Sequence, residues 1–316
     1  MSATAPMQTV PLVYHEKYDL NFGRHVFPTH KYRLIRDRLL AEGQAVEEDF
    51  HQPKPAKDED LRLVHTEDWV RKLRTGTITY QEILKLEVPY SRQMVEAFWL
   101  AAGGSIYAAR LAFFHGVAYN VGGGFHHAFP GHGEGFCAIN DVAVAIRVLQ
   151  REGLIRKALV LDADVHQGNG TAAIFAGDPS VFTLSIHQLH NYPAEKPPST
   201  LDIHLEDGVS DVEYLDKLRA AYVPALQLFR PDFVFYVAGA DPYLEDQLGG
   251  INLSKQGLMA RDRLAIERPL LMGVPVAIAL AGGYAMQVED TVDIHANTWR
   301  TAATVLRDCG WRRAPR

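Results

Sequence analysis

The chain reads as an α/β domain built on a parallel sheet with helices on both faces. Five short apolar runs recur along it: Val117–Val121, Ala158–Leu161, Val181–Ile186, Phe233–Val237 and Val274–Leu280. Each is nearly continuous rather than alternating, which suits parallel strands covered on both sides. Segments of helical spacing separate them, so strand and helix alternate as right-handed crossovers require. No linker and no repeat of about 20–50 residues divides the 316 residues. A single domain over 1–316 is expected, with loosely ordered ends at about 1–9 and 308–316.

Along the chain, Leu12–Tyr14 is expected to add an edge strand, and Gln52–Asp60 (QPKPAKDED) reads as a charged surface loop. Val95–Phe114 has helical patterning. Asn140 and Asp141 can cap a helix whose apolar face is Val142, Ala145, Ile146 and Leu149, with Gly153 as its stop signal. Asp211 opens another through Tyr214, Leu218, Tyr222 and Leu226, ended by Arg230–Pro231, and Leu258–Leu271 is a further one.

Composition narrows the function classes. Lys and Arg number 32 against 38 Asp and Glu, a net charge of −6, which argues against a nucleic-acid binder held by bulk electrostatics. Apolar residues at 47% and charged residues at 22% exclude a disordered chain. No uninterrupted apolar run approaches the roughly 18 residues of a membrane span, the longest lying around Val274–Ala281. The start, MSATAPMQTVPLV, lacks the basic region and apolar core of a secretory signal. Cys137 and Cys309 are too few for a disulfide framework. Cys137 reads as a packing residue and Cys309 carries no signal. A cytoplasmic protein without membrane or nucleic-acid partners is expected.

The chemistry lies in the turns at the strand ends. Seven of the 14 His fall between His115 and His190. Val117–Val121 is followed by GGGFHHAFPGHGEGF, Ala158–Leu161 by DADVHQGNG, Val181–Ile186 by His187, Phe233–Val237 by AGAD and Val274–Leu280 by AGGY. Ligands of open parallel sheets bind beyond the carboxyl ends of the strands, so glycine-rich turns and polar residues converge on one edge. Asp162, Asp164 and His166 alternate in extended chain and so share a face. Two carboxylates and an imidazole there suit a divalent metal better than a set of solvated loop acids. An EF-hand starting at Asp162 needs Glu at its twelfth position, where Ala173 stands. Aspartyl-phosphate phosphatases carry Thr or Val where this chain has His166.

His126 and His127 diverge as neighbours, which suits proton transfer better than joint chelation. His132 reads as a loop residue. Gly122 and Gly124 do not start a dinucleotide fingerprint, because His127 occupies the third glycine position. Asp241 ends AGAD and Tyr284 ends AGGY. Asp164, His166 and Asp241 together give three ligands with a coordination position left open, as catalytic zinc requires. A Tyr284 hydroxyl can donate to a developing oxyanion.

GGGFHHAF…GFCAIND, LDADVHQGNGT, GAD and AGGY, in this order and spacing, resemble the zinc-dependent histone deacetylase superfamily from about Tyr14 to Arg300. That family includes acetoin-utilisation proteins and acetylpolyamine amidohydrolases. The resemblance implies the arginase/deacetylase α/β domain with a mostly parallel eight-stranded sheet. It implies Asp164, His166 and Asp241 as zinc ligands, with iron(II) as an alternative metal, His126 and His127 as the tandem catalytic histidines, and Tyr284 as the oxyanion donor. Asp162 would orient His126 and, with Ser185, help hold a structural potassium ion. Phe136, Tyr192 and Leu248 would line an acyl-lysine tunnel.

Two departures stand out. Asn169 replaces the Asp that many members pair with the second histidine, and HQGNG resembles the class IV branch, whose reading carries an open channel for long acyl chains. Without that anion His127 should stay neutral and ready to accept a proton. RHVFPTHKYR departs from the class I pattern, so no acidic rim residue can be placed. The implied reaction is hydrolysis of N-acyl-lysine in a protein or peptide. Hydrolysis of an acetylpolyamine or another small acylated amine, and silent acyl-lysine binding, are the alternatives. Oligomeric state is left open.

Overall fold

The computed structural model describes residues 9–20, 22–23 and 25–311. All five apolar runs form strands, and three further segments complete a sheet of eight. In chain order the strands are β1 (Leu12–Val13), β2 (Phe50–His51), β3 (Val117–Asn120), β4 (Ala158–Asp162), β5 (Val181–Gln188), β6 (Leu201–Leu205), β7 (Phe233–Val237) and β8 (Val276–Ala279). Their spatial order is β2-β1-β3-β8-β7-β4-β5-β6, parallel at every pairing. Every residue of β3, β4, β7 and β8 is buried, which is why none of these runs alternates.

One expectation about the sheet changes, and one edge is not foreseen. Leu12–Val13 is not at the edge, because β2 pairs outside it and β3 inside. A two-residue strand such as β2 is too short to show a period. The other edge, β6, reads Leu-Asp-Ile-His-Leu and is buried only at Leu205, so it offers no apolar run.

Ten α-helices occur among the described residues: α1 (Lys31–Ala41), α2 (Asp58–Leu61), α3 (Glu67–Thr75), α4 (Tyr80–Leu86), α5 (Arg92–His115), α6 (Asp141–Arg151), α7 (Asn169–Ile174), α8 (Asp211–Phe229), α9 (Lys255–Leu271) and α10 (Val288–Cys309). Capping sets several starts ahead of the apolar stripe. Ser91, Asn140 and Ser254 accept from the backbone N–H of Met94, Ala143 and Gly257. QPKPAKDED is not wholly loop: Ala56 is buried and Asp58 begins α2. α10 escapes the sequence because buried Thr291, His295, Thr298 and Thr301 interrupt its apolar face of Val292, Ile294, Trp299, Val305 and Leu306.

α5 is long and apolar enough to cross a membrane, yet 78% of its apolar window is buried inside the protein. Gly104 lets it lie close to Tyr18 and to Asn120 of β3, since a Cβ there would stand 2.0 Å from the Tyr18 hydroxyl and 2.8 Å from the Asn120 amide. At the C-terminus, Asp308 and Cys309 complete α10 and Trp311 is buried, so that end is ordered further than expected. Residues 1–8 and 312–316 of the expected loose ends lie outside the described residues.

After β3 the chain builds β4, β5 and β6 outward on one side, then returns with β7 and β8 to fill the gap between β4 and β3. The strand order reverses there, and a crevice opens at the carboxyl ends of the central strands.

Candidate metal centre and reaction site

β4 and β7 are neighbours, so the turns that follow them lie side by side. Asp164 and His166 come from the first turn and Asp241 from the second. Their donor atoms all lie within 4.8 Å of one another, and all three residues are buried. His166 Nδ1 is 3.0 Å from Asp164 Oδ1 and 3.4 Å from Asp241 Oδ2. Backbone N–H groups hold the other carboxylate oxygens: Gly282 donates to Asp164 Oδ2 at 2.8 Å and Val165 to Asp241 Oδ1 at 2.9 Å. Asp241 Oδ2 is buried and makes no hydrogen bond among the described residues.

Burial and the adjacent Asp164 push the Asp241 carboxyl up to about 7. Burial alone would lower His166, but the two carboxylates raise it to about 10. Two buried carboxylates sharing one imidazole form a site short of positive charge, and this donor set fits a divalent cation.

Gly282 permits the arrangement, since a Cβ there would stand 1.8 Å from Asp241 Oδ2. Arg261 of α9, which the sequence does not single out, ties both turns to a helix. It is fully buried and donates to Ala163 O at 3.1 Å and Gly239 O at 2.6 Å. Asp262 balances its charge and accepts from Tyr236 and Thr298.

The tandem histidines sit beside this cluster in opposite electrostatic settings. His126 Nδ1 donates to Asp162 Oδ2 at 2.7 Å. Burial would lower its pKa, but Asp162 and Asp164 hold it at about 9. His127 Nδ1 donates to Asn169 Oδ1 at 2.7 Å. Burial, with His126 and His166 close by, keeps His127 well below its usual range. One ring is held charged and the other neutral.

The expected tunnel residues come together. Phe136, Tyr192 and Leu248 line a cavity of about 180 Å³ that also reaches His127, His166 and Tyr284. Tyr192 meets His127 edge to face at 4.9 Å. A second cavity, of about 20 Å³, lies at the cluster itself, where Asp164, His166, His126 and His127 meet Phe27, Phe136, Tyr284 and glycine backbone. The Tyr284 backbone is clamped: its N–H donates to Asp246 Oδ2 at 2.6 Å and its carbonyl accepts from Gln247 Nε2 at 2.8 Å. Ser185 lies directly across from Asp162 in the sheet and shares a hydrogen bond with His187. His132 stacks on Phe129 away from the cluster.

The N-terminal segment that resisted assignment supplies part of the site. Phe27 stacks on Phe136 at 5.9 Å, and fully buried Lys31 donates to Ala281 O at 2.9 Å. Glu87 also lines the tunnel cavity, in left-handed backbone conformation at φ 60°. Glu134, inside the GHGEGF motif, stands behind Asn169. Single residues on loops leave no periodic trace; only the position of Glu134 within a motif already read could have marked it.

A family model described as histone deacetylase domain matches residues 25–299. An uncharacterized protein of Picosynechococcus is 42% identical over 296 residues, covering 93% of this chain and 99% of its own. Histone deacetylase 2 of Arabidopsis thaliana is 30% identical over 292 residues, covering 88% of this chain and 76% of its own. A solved HDAC homolog complexed with SAHA superposes with a TM-score of 0.76 at 26% identity, covering 95% of this chain and 89% of that one.

Proposed function

The chain belongs to the histone deacetylase family, and on that footing we propose that it hydrolyses N-acetyl-lysine amides in a protein or peptide, with zinc held by Asp164, His166 and Asp241. The observation that carries this reading is the neutral His127, which lines the same cavity as the metal cluster and Tyr284. When bound, zinc polarises the acyl carbonyl and brings the pKa of its water toward about 7. Iron(II) suits the same donors. A potassium ion near Asp162 and Ser185 belongs to this reading, supported by their facing positions on β4 and β5. A cytoplasmic location is in keeping with two free cysteines.

The residues divide the work. His127 Nδ1–H is committed to Asn169, so Nε2 is the basic nitrogen and takes a proton from water as its oxygen adds to the acyl carbon. The carbonyl oxygen gains negative charge, to which the Tyr284 hydroxyl donates. His126, held charged by Asp162 and Asp164, adds positive charge near that oxygen. The C–N bond then breaks, and the ε-amine leaves with the proton from His127 Nε2. Glu87 at the tunnel mouth is the acidic rim residue that can accept from the substrate backbone.

The test is mass-spectrometric product release from zinc-loaded protein, using one lysine peptide carrying acyl groups of increasing length, with acetylspermidine alongside. Turnover of acetyl-peptide is the expected result. Turnover of acetylspermidine alone, or peptide binding without released acid, would overturn the peptide reading.

A further inference from the structure

Asn169 presents two faces to two partners. Its Oδ1 accepts from His127 Nδ1 at 2.7 Å and from the Gly170 N–H at 3.0 Å, while its Nδ2 donates to Glu134 Oε1 at 2.6 Å. An amide reversed at this site would put its oxygen against the Glu134 carboxylate and its NH₂ against the Gly170 N–H. The orientation of Asn169, and with it the proton on His127 Nδ1, is therefore fixed by the carboxylate behind it together with the Gly170 N–H. We propose that Glu134 is a positioning residue for the reaction: its carboxylate locks the Asn169 amide and so selects the His127 tautomer whose Nε2 is free to act as base. The anion absent at position 169 is thus supplied one residue further out.

Glu134 is built for this part. Its side chain is 8% exposed, yet Lys85 Nζ reaches Oε2 at 2.9 Å and the Tyr192 hydroxyl donates to Oε1 at 3.0 Å. Burial would raise its pKa, but hydrogen bonds from His132, Lys85 and Asn169 hold the carboxyl down at about 2. An ionised carboxylate can only accept, so it forces Asn169 to present NH₂. The inference rests on the proposed role of His127 as base, but its central readout does not.

The test is Glu134→Gln. Lys85 can only donate, whereas the Tyr192 hydroxyl can also accept, so the new amide turns its oxygen to Lys85 and its NH₂ to Asn169 and Tyr192. Asn169 then reverses, giving up its bond from the Gly170 N–H, and presents NH₂ to His127 Nδ1, which must lose its proton to Nε2. Two-bond ¹⁵N–¹H NMR correlation of labelled histidine reads the tautomer directly, with and without zinc. Wild type should carry the proton on Nδ1 and E134Q on Nε2, with kcat lowered about 10²-fold or more and KM little changed. Asn169→Asp alone sets two carboxylates face to face and should be defective. The double variant N169D/E134Q should regain both the Nδ1–H tautomer and turnover, because the introduced amide then donates to the introduced carboxylate. This rescue carries the test even if E134Q alone misfolds.

E134Q protein that keeps the Nδ1–H tautomer, or N169D that E134Q fails to rescue, overturns the assignment. A tautomer switch in a protein whose wild type hydrolyses no acyl-lysine upholds the positioning and removes the proposed reaction instead.

Discussion

Gly282→Ala should abolish tight metal binding while leaving the fold intact. The added Cβ would stand 1.8 Å from Asp241 Oδ2, 2.7 Å from Asp164 Oδ2 and 2.8 Å from Asp241 Cγ. Ordinary contact begins near 3.4 Å, so the Asp241 carboxylate must retreat by about 1.6 Å. Metal–ligand distances tolerate only about ±0.2 Å, so the displacement exceeds the tolerance several-fold. Gly282 is not in the left-handed region, so the penalty falls on the carboxylates of Asp241 and Asp164, the latter also the acceptor of the Gly282 N–H, rather than on the backbone conformation. The expected destabilisation is the about 1–3 kcal/mol of an overpacked site, whereas zinc affinity should fall by more than the 10–100-fold typical of a lost outer partner. Competition against a chromophoric chelator, with thermal unfolding of the same metal-free samples, separates the two effects. G282A protein that binds zinc as wild type does would refute the placement of Asp164 and Asp241 as joint ligands.

Tyr284→Phe should lower kcat by about 10²–10³ with zinc affinity unchanged, and full turnover at saturating substrate would remove the oxyanion role. Phe27→Ala opens the small compartment beside Phe136 and Tyr284 and should shift acyl preference toward longer chains; an unchanged preference in an acyl-length series would count against that wall. His65 is locked neutral: burial lowers its pKa to about 4, its Nδ1 donates to Phe129 O, and its Nε2 accepts from the Asn140 N–H. The folded pKa lies below the unfolded 6.5, so the unfolded chain binds the extra proton. Stability is then complete above pH 6.5 and falls by up to about 3 kcal/mol as pH drops to 4. Chemical unfolding across that window should show the loss in wild type and a shallower one in His65→Gln; parallel slopes would exclude His65 as its source.

The sequence is most readable where one strand delivers several reacting groups in a row. Asp162 ends β4 and Asp164 and His166 follow in the turn rather than in extended chain, so their nearness follows from a run of reacting groups at one strand end and their placement from parallel-sheet topology. Asp241 and Tyr284 are single residues, legible because each ends a strand and its glycine turn. Phe27, Lys31, Glu87 and Glu134 reach the site from loops and from α1, by contacts that no local pattern encodes. α10 is hidden differently, by buried Thr and His residues that interrupt its apolar face. Leu12–Val13 looked peripheral because its outer neighbour is two residues long.

The grip of Arg261 on Ala163 O and Gly239 O has a thermodynamic consequence. In small metallo-domains the ion creates its own site, so binding free energy is folding free energy and a chelator denatures the protein. Here the carbonyls flanking both acidic turns are fastened to α9 by a fully buried cation, and the ordering cost of the donor set is met when the chain folds. Loading should therefore be nearly uncoupled from global unfolding, with little heat-capacity change. The metal can be stripped and returned, or one ion exchanged for another, in a protein that keeps its shape throughout.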